Sequence, residues 1–145
     1  MTKDTLVEIL KQYFSQHAKQ FGVTMAFLYG SWAHNMQGML SDIDIAVLLE
    51  ETDTDKQFAI INAITLALCD LLHTEVNVLY IDNELSKPML HYNAIVKGEV
   101  VYFNDFTNYV DMYLKALAQM EDFSLFGIQW QKQVIEKNIK DLHNA

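Results

Sequence analysis

Leu6, Ile9, Leu10, Tyr13, Phe14 and Phe21 recur at steps of three, four and seven, which is one face of a 3.6-residue repeat. The spacing predicts an opening helix, and Gly22 is placed to stop it because glycine tolerates a left-handed cap. Val23 to Tyr29 is a short apolar run that predicts a buried strand. Gly30-Ser31 breaks it, and Ser31-Trp32-Ala33-His34 is suited to a short helix. From Asp42 to Leu49 a second strand is predicted, alternating acidic and apolar at first and wholly apolar afterwards. A helix follows at about 55–73, with Asp53 or Thr54 as its N-cap. Glu75 to Tyr80 predicts a third strand.

Residues 86–97 predict a further helix, with Ser86 capping it, Pro88 in its first turn and Gly98 closing it. Val100 to Phe103 predicts a last strand. Beyond 105 the chain is helical in character, with one apolar stripe at Phe106, Tyr109, Val110, Tyr113, Leu114 and Leu117. A second stripe runs through Val134, Ile135, Ile139 and Leu142, and the segment Phe123 to Trp130 between them keeps no clean period. Strands and helices alternate, so the expected class is α/β or α+β.

Composition narrows the picture. A chain of 145 residues suits one domain. At that size roughly 68–70% of the unfolded surface is buried, so no disulfide or metal is needed for folding. The net charge is −9 and only ten Lys and Arg are present. Clamping a nucleic acid requires a basic face that displaces counterions, so nucleic acid is not expected as a direct partner. The single cysteine, Cys69, excludes an internal disulfide and a cysteine-based zinc site, and reads as a small buried hydrophobe. No apolar stretch approaches the ~18–20 residues of a membrane span, and Met1-Thr2-Lys3-Asp4 opens no signal peptide. A cytoplasmic location is expected.

The chemistry concentrates in Tyr29-Gly30-Ser31, ten intervening residues, then Asp42-Ile43-Asp44. On a strand, residues i and i+2 share a side. Two carboxylates so placed repel by up to about 3–4 kcal/mol at an effective dielectric near 20. Such a pair calls for a cation, and hard oxygen ligands suit magnesium, which takes its other ligands from water and phosphate. Glycine before a short helix lets backbone amides approach a phosphate, and the serine adds a hydroxyl. Together these predict a triphosphate held between the Gly30-Ser31 turn and magnesium at Asp42 and Asp44, arranged for attack on the α-phosphate.

The stretch from Leu28-Tyr29-Gly30-Ser31 to Ser41-Asp42-Ile43-Asp44-Ile45 resembles the Gly-Ser-x10-Asp-x-Asp signature of minimal nucleotidyltransferase (MNT) domains, of the DNA polymerase beta-like superfamily. The resemblance spans about residues 20–103. It implies a palm-like mixed sheet flanked by helices over residues 1–104. Residues 105–145 would be a C-terminal helical extension, packed on the domain or on a partner. It further implies catalytic and metal-binding roles for Asp42 and Asp44, phosphate contacts from Gly30 and Ser31, and Mg2+ with ATP. The implied partner is a HEPN-domain RNase toxin, one of whose tyrosines receives AMP, in a homo- or hetero-oligomer. The family's third carboxylate falls on Asn77, with Glu75 one pleat earlier on the same face. Asparagine is uncharged and a poor proton acceptor. A second expectation is therefore a weakened MNT fold that neutralises its toxin by binding alone. The family's Arg-Gly after the Gly-Ser pair reads His34-Asn35 here. Trp32 is expected to pack the short helix onto the sheet, and His17, His73, His91 and His143 show no metal-ligand spacing. An antibiotic-modifying enzyme would need a second acceptor-binding domain, for which the chain has little room.

Overall fold

The structure, a computed structural model, describes residues 1–38 and 42–143, with the side chains of 123–127 left aside. Ser41 and the side chains of Phe123 and Phe126 lie outside the described residues. The order is α1 (Lys3–Phe21), β1 (Val23–Tyr29), a 3-10 turn (Ser31–His34), β2 (Ile43–Leu49), α2 (Thr54–Leu72), β3 (Val76–Tyr80), α3 (Pro88–His91) running into a π turn (Tyr92–Val96), β4 (Glu99–Phe103) and α4 (Phe106–His143). The four strands form one mixed sheet in the order β3-β2-β1-β4. β1 pairs antiparallel with β2 and β4, and β2 pairs parallel with β3. Parallel strands need a crossover, which α2 supplies.

Alternation along the strands builds two cores. Ile43, Ile45, Val47 and Leu49 face α1 and α2, meeting Leu6, Leu10, Phe14, Ile64 and Leu68. Ala46 and Leu48 face the other way and join Met25, Phe27, Ile81, Leu85, Ala94, Ile95 and Ala116. α1 buries Val7 and Ala18 as well as the predicted stripe, while Ile9 and Phe21 are only half-buried. Gly22 caps it at φ 67°, as expected. Asp53 caps α2, accepting from the Lys56 amide at 3.0 Å. Cys69 is half-buried and packs on the first core.

Two expectations change. Residues 86–97 are not one regular helix. Ser86 does not cap α3; its amide and hydroxyl donate to the Asp82 carboxylate instead, and Lys87 precedes Pro88 with no side-chain cap. Gly98 is not left-handed. It is required by proximity, since a Cβ there would stand 2.2 Å from the Ala94 carbonyl oxygen and 2.8 Å from that of Leu28. Second, the two apolar stripes beyond 105 belong to one helix of 38 residues. Tyr109, Met112, Tyr113 and Ala116 in its first half cover the second core. Lys115 and Gln119 donate to the carbonyls of Asn83 and Leu85 at 2.9 and 2.7 Å, tying α4 to the β3–α3 loop. From Glu121 onward every described side chain is exposed. Among the described residues no helix is long and apolar enough to cross a membrane.

His91 is 1% exposed. Its Nε2 stands 3.4 Å from Asp82 Oδ1, and its Nδ1 has no hydrogen-bond partner among the described residues. Burial lowers its pKa from the ordinary 6.5, against an upward push from Asp82. The unfolded chain therefore binds the proton more readily than the folded one. Stability is fully present above about pH 6.5 and is lost as pH falls towards the folded value. Urea unfolding of the wild type is expected to show this slope below neutrality. In His91→Gln the slope should shrink; an unchanged slope would assign it to other groups.

Candidate functional site

The site forms where β1 and β2 lie side by side. The antiparallel register sets Tyr29 opposite Asp44, so the turn after β1 emerges beside the acidic start of β2. Gly30 there adopts φ 75° and ψ −154°, a combination open essentially to glycine alone. A Cβ at Gly30 would meet Asp44 Oδ2 at 2.5 Å. The glycine backbone is thus packed against the carboxylate with no room for a side chain. Ser31, half-buried, opens the 3-10 turn, and its carbonyl accepts from the Met36 amide at 2.9 Å.

Asp42 and Asp44 are both half-buried. Both reach the same side chain: Asn77 Nδ2 donates to Asp42 Oδ2 at 3.4 Å and to Asp44 Oδ1 at 3.3 Å. The parallel ladder pairs Asp44 with Asn77 directly. Glu75 is exposed and sits before β3, where its carbonyl accepts from the Ile43 amide at 3.2 Å. The fold thus gathers Gly30, Ser31, Asp42, Asp44 and Asn77, and it is Asn77, not Glu75, whose side chain bridges the acids. His34 is exposed, and Trp32 packs against the first core.

Among the described residues no group of three or more His, Cys, Asp or Glu side chains is arranged to hold a metal. The donors at this spot are two carboxylates and one amide. All are hard oxygen ligands once the amide presents its Oδ1, and that set fits a divalent ion completed by phosphate and water.

Sequence reasoning gave Tyr29 no role, yet it borders the acid pair. Burial, and then the negative charge of Asp44, push its phenol up to about 12, so it stays protonated as a hydrogen-bond donor. Tyr29, Asp44 and Asn77 also line a groove of about 490 Å³ that crosses the edge strand β3 towards Phe58, Asn62 and Thr65 of α2. The strand pattern alone could place Tyr29 and Asp44 on sheet faces, but their pairing depends on a register between strands that local sequence does not carry.

The sequence model of the family described as polymerase beta, nucleotidyltransferase, matches residues 8–107. No curated protein sequence matches the chain. Among solved structures, it is similar to a chain from a toxin–antitoxin crystal structure with AMP-PNP, at TM-score 0.61 and 17% identity, covering 89% of this chain and 97% of that one. It is also similar to a chain from the complex of tri-AMPylated Shewanella oneidensis HEPN toxin with MNT antitoxin, at TM-score 0.57 and 15% identity, covering 92% and 98%. A chain of the MntA-HepT toxin–antitoxin structure gives TM-score 0.57 at 15% identity, covering 91% and 97%. At such identities these likenesses establish the fold, and the sequence match over 8–107 sets the kinship: the chain belongs to the polymerase beta nucleotidyltransferase family.

Proposed function

We propose that this chain is the nucleotidyltransferase antitoxin of a toxin–antitoxin pair, and that it transfers AMP from ATP to a tyrosine of a HEPN RNase toxin in the cytoplasm. The observation carrying this reading is the packing of Gly30 against Asp44 beside Asp42. That packing puts an acid pair and a bare backbone turn at one point, as a metal-bound triphosphate requires. The complexes containing HEPN toxin, MNT antitoxin, AMP groups and AMP-PNP support the choice of partner and nucleotide.

In this reading Asp42 and Asp44 bind Mg2+, which supplies positive charge against the triphosphate. Gly30 lets the phosphate come close to the main chain, and the Ser31 hydroxyl offers a hydrogen bond. The acceptor tyrosine's oxygen forms the new bond to the α-phosphorus, its proton passing to water, while the bond to pyrophosphate breaks. Asn77 stands beside the acids but takes no proton, because an amide is not a base at neutral pH.

That last point favours a second reading, in which the chain neutralises its toxin by binding alone. Incubation with labelled ATP, Mg2+ and the HEPN partner separates the two. Label on the partner supports transfer. A stable complex without label rejects transfer and leaves binding.

The partner surface is assigned to the second half of α4. Ile128, Ile135, Ile139 and Leu142 follow at steps of seven, four and three and are 50–76% exposed. Residues 105–145 thus serve the domain with their first half and the partner with their second. Truncation after Glu121 is expected to preserve thermal stability and ATP binding while abolishing capture of the HEPN partner in pull-down. A cut at Thr107 would be uninformative, since it strips Tyr109, Met112, Tyr113 and Ala116 from the second core. Partner affinity retained after the Glu121 cut would refute this surface.

A further inference from the structure

We infer that the Asn77 side-chain amide is a displaceable bridge: it joins Asp42 to Asp44 when no cation is bound, and turns over to offer its oxygen when one is. The inference rests on the reading of Asp42 and Asp44 as a cation site.

Three features of the site carry it. First, a single nitrogen, Nδ2, reaches both carboxylates, at 3.4 and 3.3 Å, and so occupies the space between the two anionic groups. Second, both contacts lie at or beyond the long end of the hydrogen-bond range, and Asn77 is exposed to competing water, so the bridge is weak. A divalent ion facing two anionic ligands displaces such a bridge. Third, a primary amide carries its donor and its acceptor on one planar group, and the terminal torsion of asparagine is broad and roughly two-fold. A half-turn therefore exchanges Nδ2 for Oδ1 without moving the backbone, which the β2–β3 ladder holds opposite Asp44. A bland solvated residue would leave the two acids unbridged. Aspartate here would add a third negative charge to the pair and would stabilise it only with metal present.

The bridge also sets the affinity for metal. Ligand charge count tunes divalent-cation binding, and a neutral third ligand gives weaker binding than an anionic one.

Titration of 15N-labelled protein with Mg2+ alone tests the proposal. The Asn77 side-chain NH2 resonances are expected to shift with the same midpoint as the backbone amides of Asp42 and Asp44. Asn77→Asp should bind Mg2+ about tenfold more tightly than wild type, and Asn77→Leu about tenfold more weakly. The proposal is overturned if saturating Mg2+ moves the Asp42 and Asp44 amides but leaves the Asn77 signals in place. Equal affinity of Asn77→Leu and wild type overturns it too. In both of those outcomes the cation site itself survives. If Mg2+ moves no site resonance in wild type or in Asn77→Asp, the cation reading fails and the bridge falls with it.

Discussion

Asp44→Asn is expected to cut AMP transfer to the HEPN partner by about 100- to 1000-fold while leaving the fold intact. An Mg2+ ion at a transferring phosphate stabilises several kcal/mol of developing charge. Loss of about 3–4 kcal/mol corresponds to that range, at 1.36 kcal/mol per tenfold. The fold survives because the replacement keeps an oxygen that can accept from Asn77 Nδ2, now at 3.3 Å. It also removes the repulsion between Asp42 and Asp44. Transfer of labelled AMP, together with a thermal unfolding curve, reads both halves. Glu75→Gln is the matched control: Glu75 is exposed and outside the cluster, and its loss should leave transfer unchanged. Full activity in Asp44→Asn would falsify the metal assignment, and loss of activity in Glu75→Gln would relocate the third acid.

The largest expected effect on stability comes from Gly98→Ala. The added methyl would stand 2.2 Å from the Ala94 carbonyl oxygen and 2.8 Å from the Leu28 carbonyl oxygen. Both obstacles are main chain, so no rotamer change relieves them; the π turn and β1 must move apart. Overpacking of this kind costs about 3 kcal/mol, a fall of roughly 10 °C in Tm for a domain of this length. The strain falls on Leu28, two residues before the Gly30 turn, so ATP binding should weaken as well. A Tm within 2 °C or so of wild type would mean that the two elements yield more easily than close packing allows.

Much of the scaffold was legible in the chain. β1 and β2 are bounded by Gly22, Gly30 and the acidic pair, and α2 by Asp53, because these residues impose local geometry wherever they stand. The Gly-Ser-x10-Asp-x-Asp spacing located the cluster, since a strand, a turn and an antiparallel return bring its two ends together. Parity could not choose between Glu75 and Asn77, which share a face. Only the parallel β2–β3 register, a property of two strands separated by α2, puts Asn77 against the acids. The π turn escaped notice because widening a helix by one residue leaves no periodic mark in so short a segment. Gly98 looked like a cap because closing a helix and admitting a neighbouring backbone both call for the same residue. The continuity of α4 was hidden by Phe123 to Trp130, a stretch of sequence that keeps no clean period. His91 read as an ordinary histidine because burial at that point is decided by tertiary packing.

α4 runs unbroken from the second core to residue 143, roughly 57 Å at 1.5 Å per residue. Its foot is clamped by Lys115, Gln119 and the aromatic side chains below them. A rod fixed at one end acts as a strut, not a leash. In the proposed complex, whatever its tip grips would be held at a set distance and bearing from Asp44, so delivery of an acceptor would depend on rigid geometry instead of a random search by a slack tether.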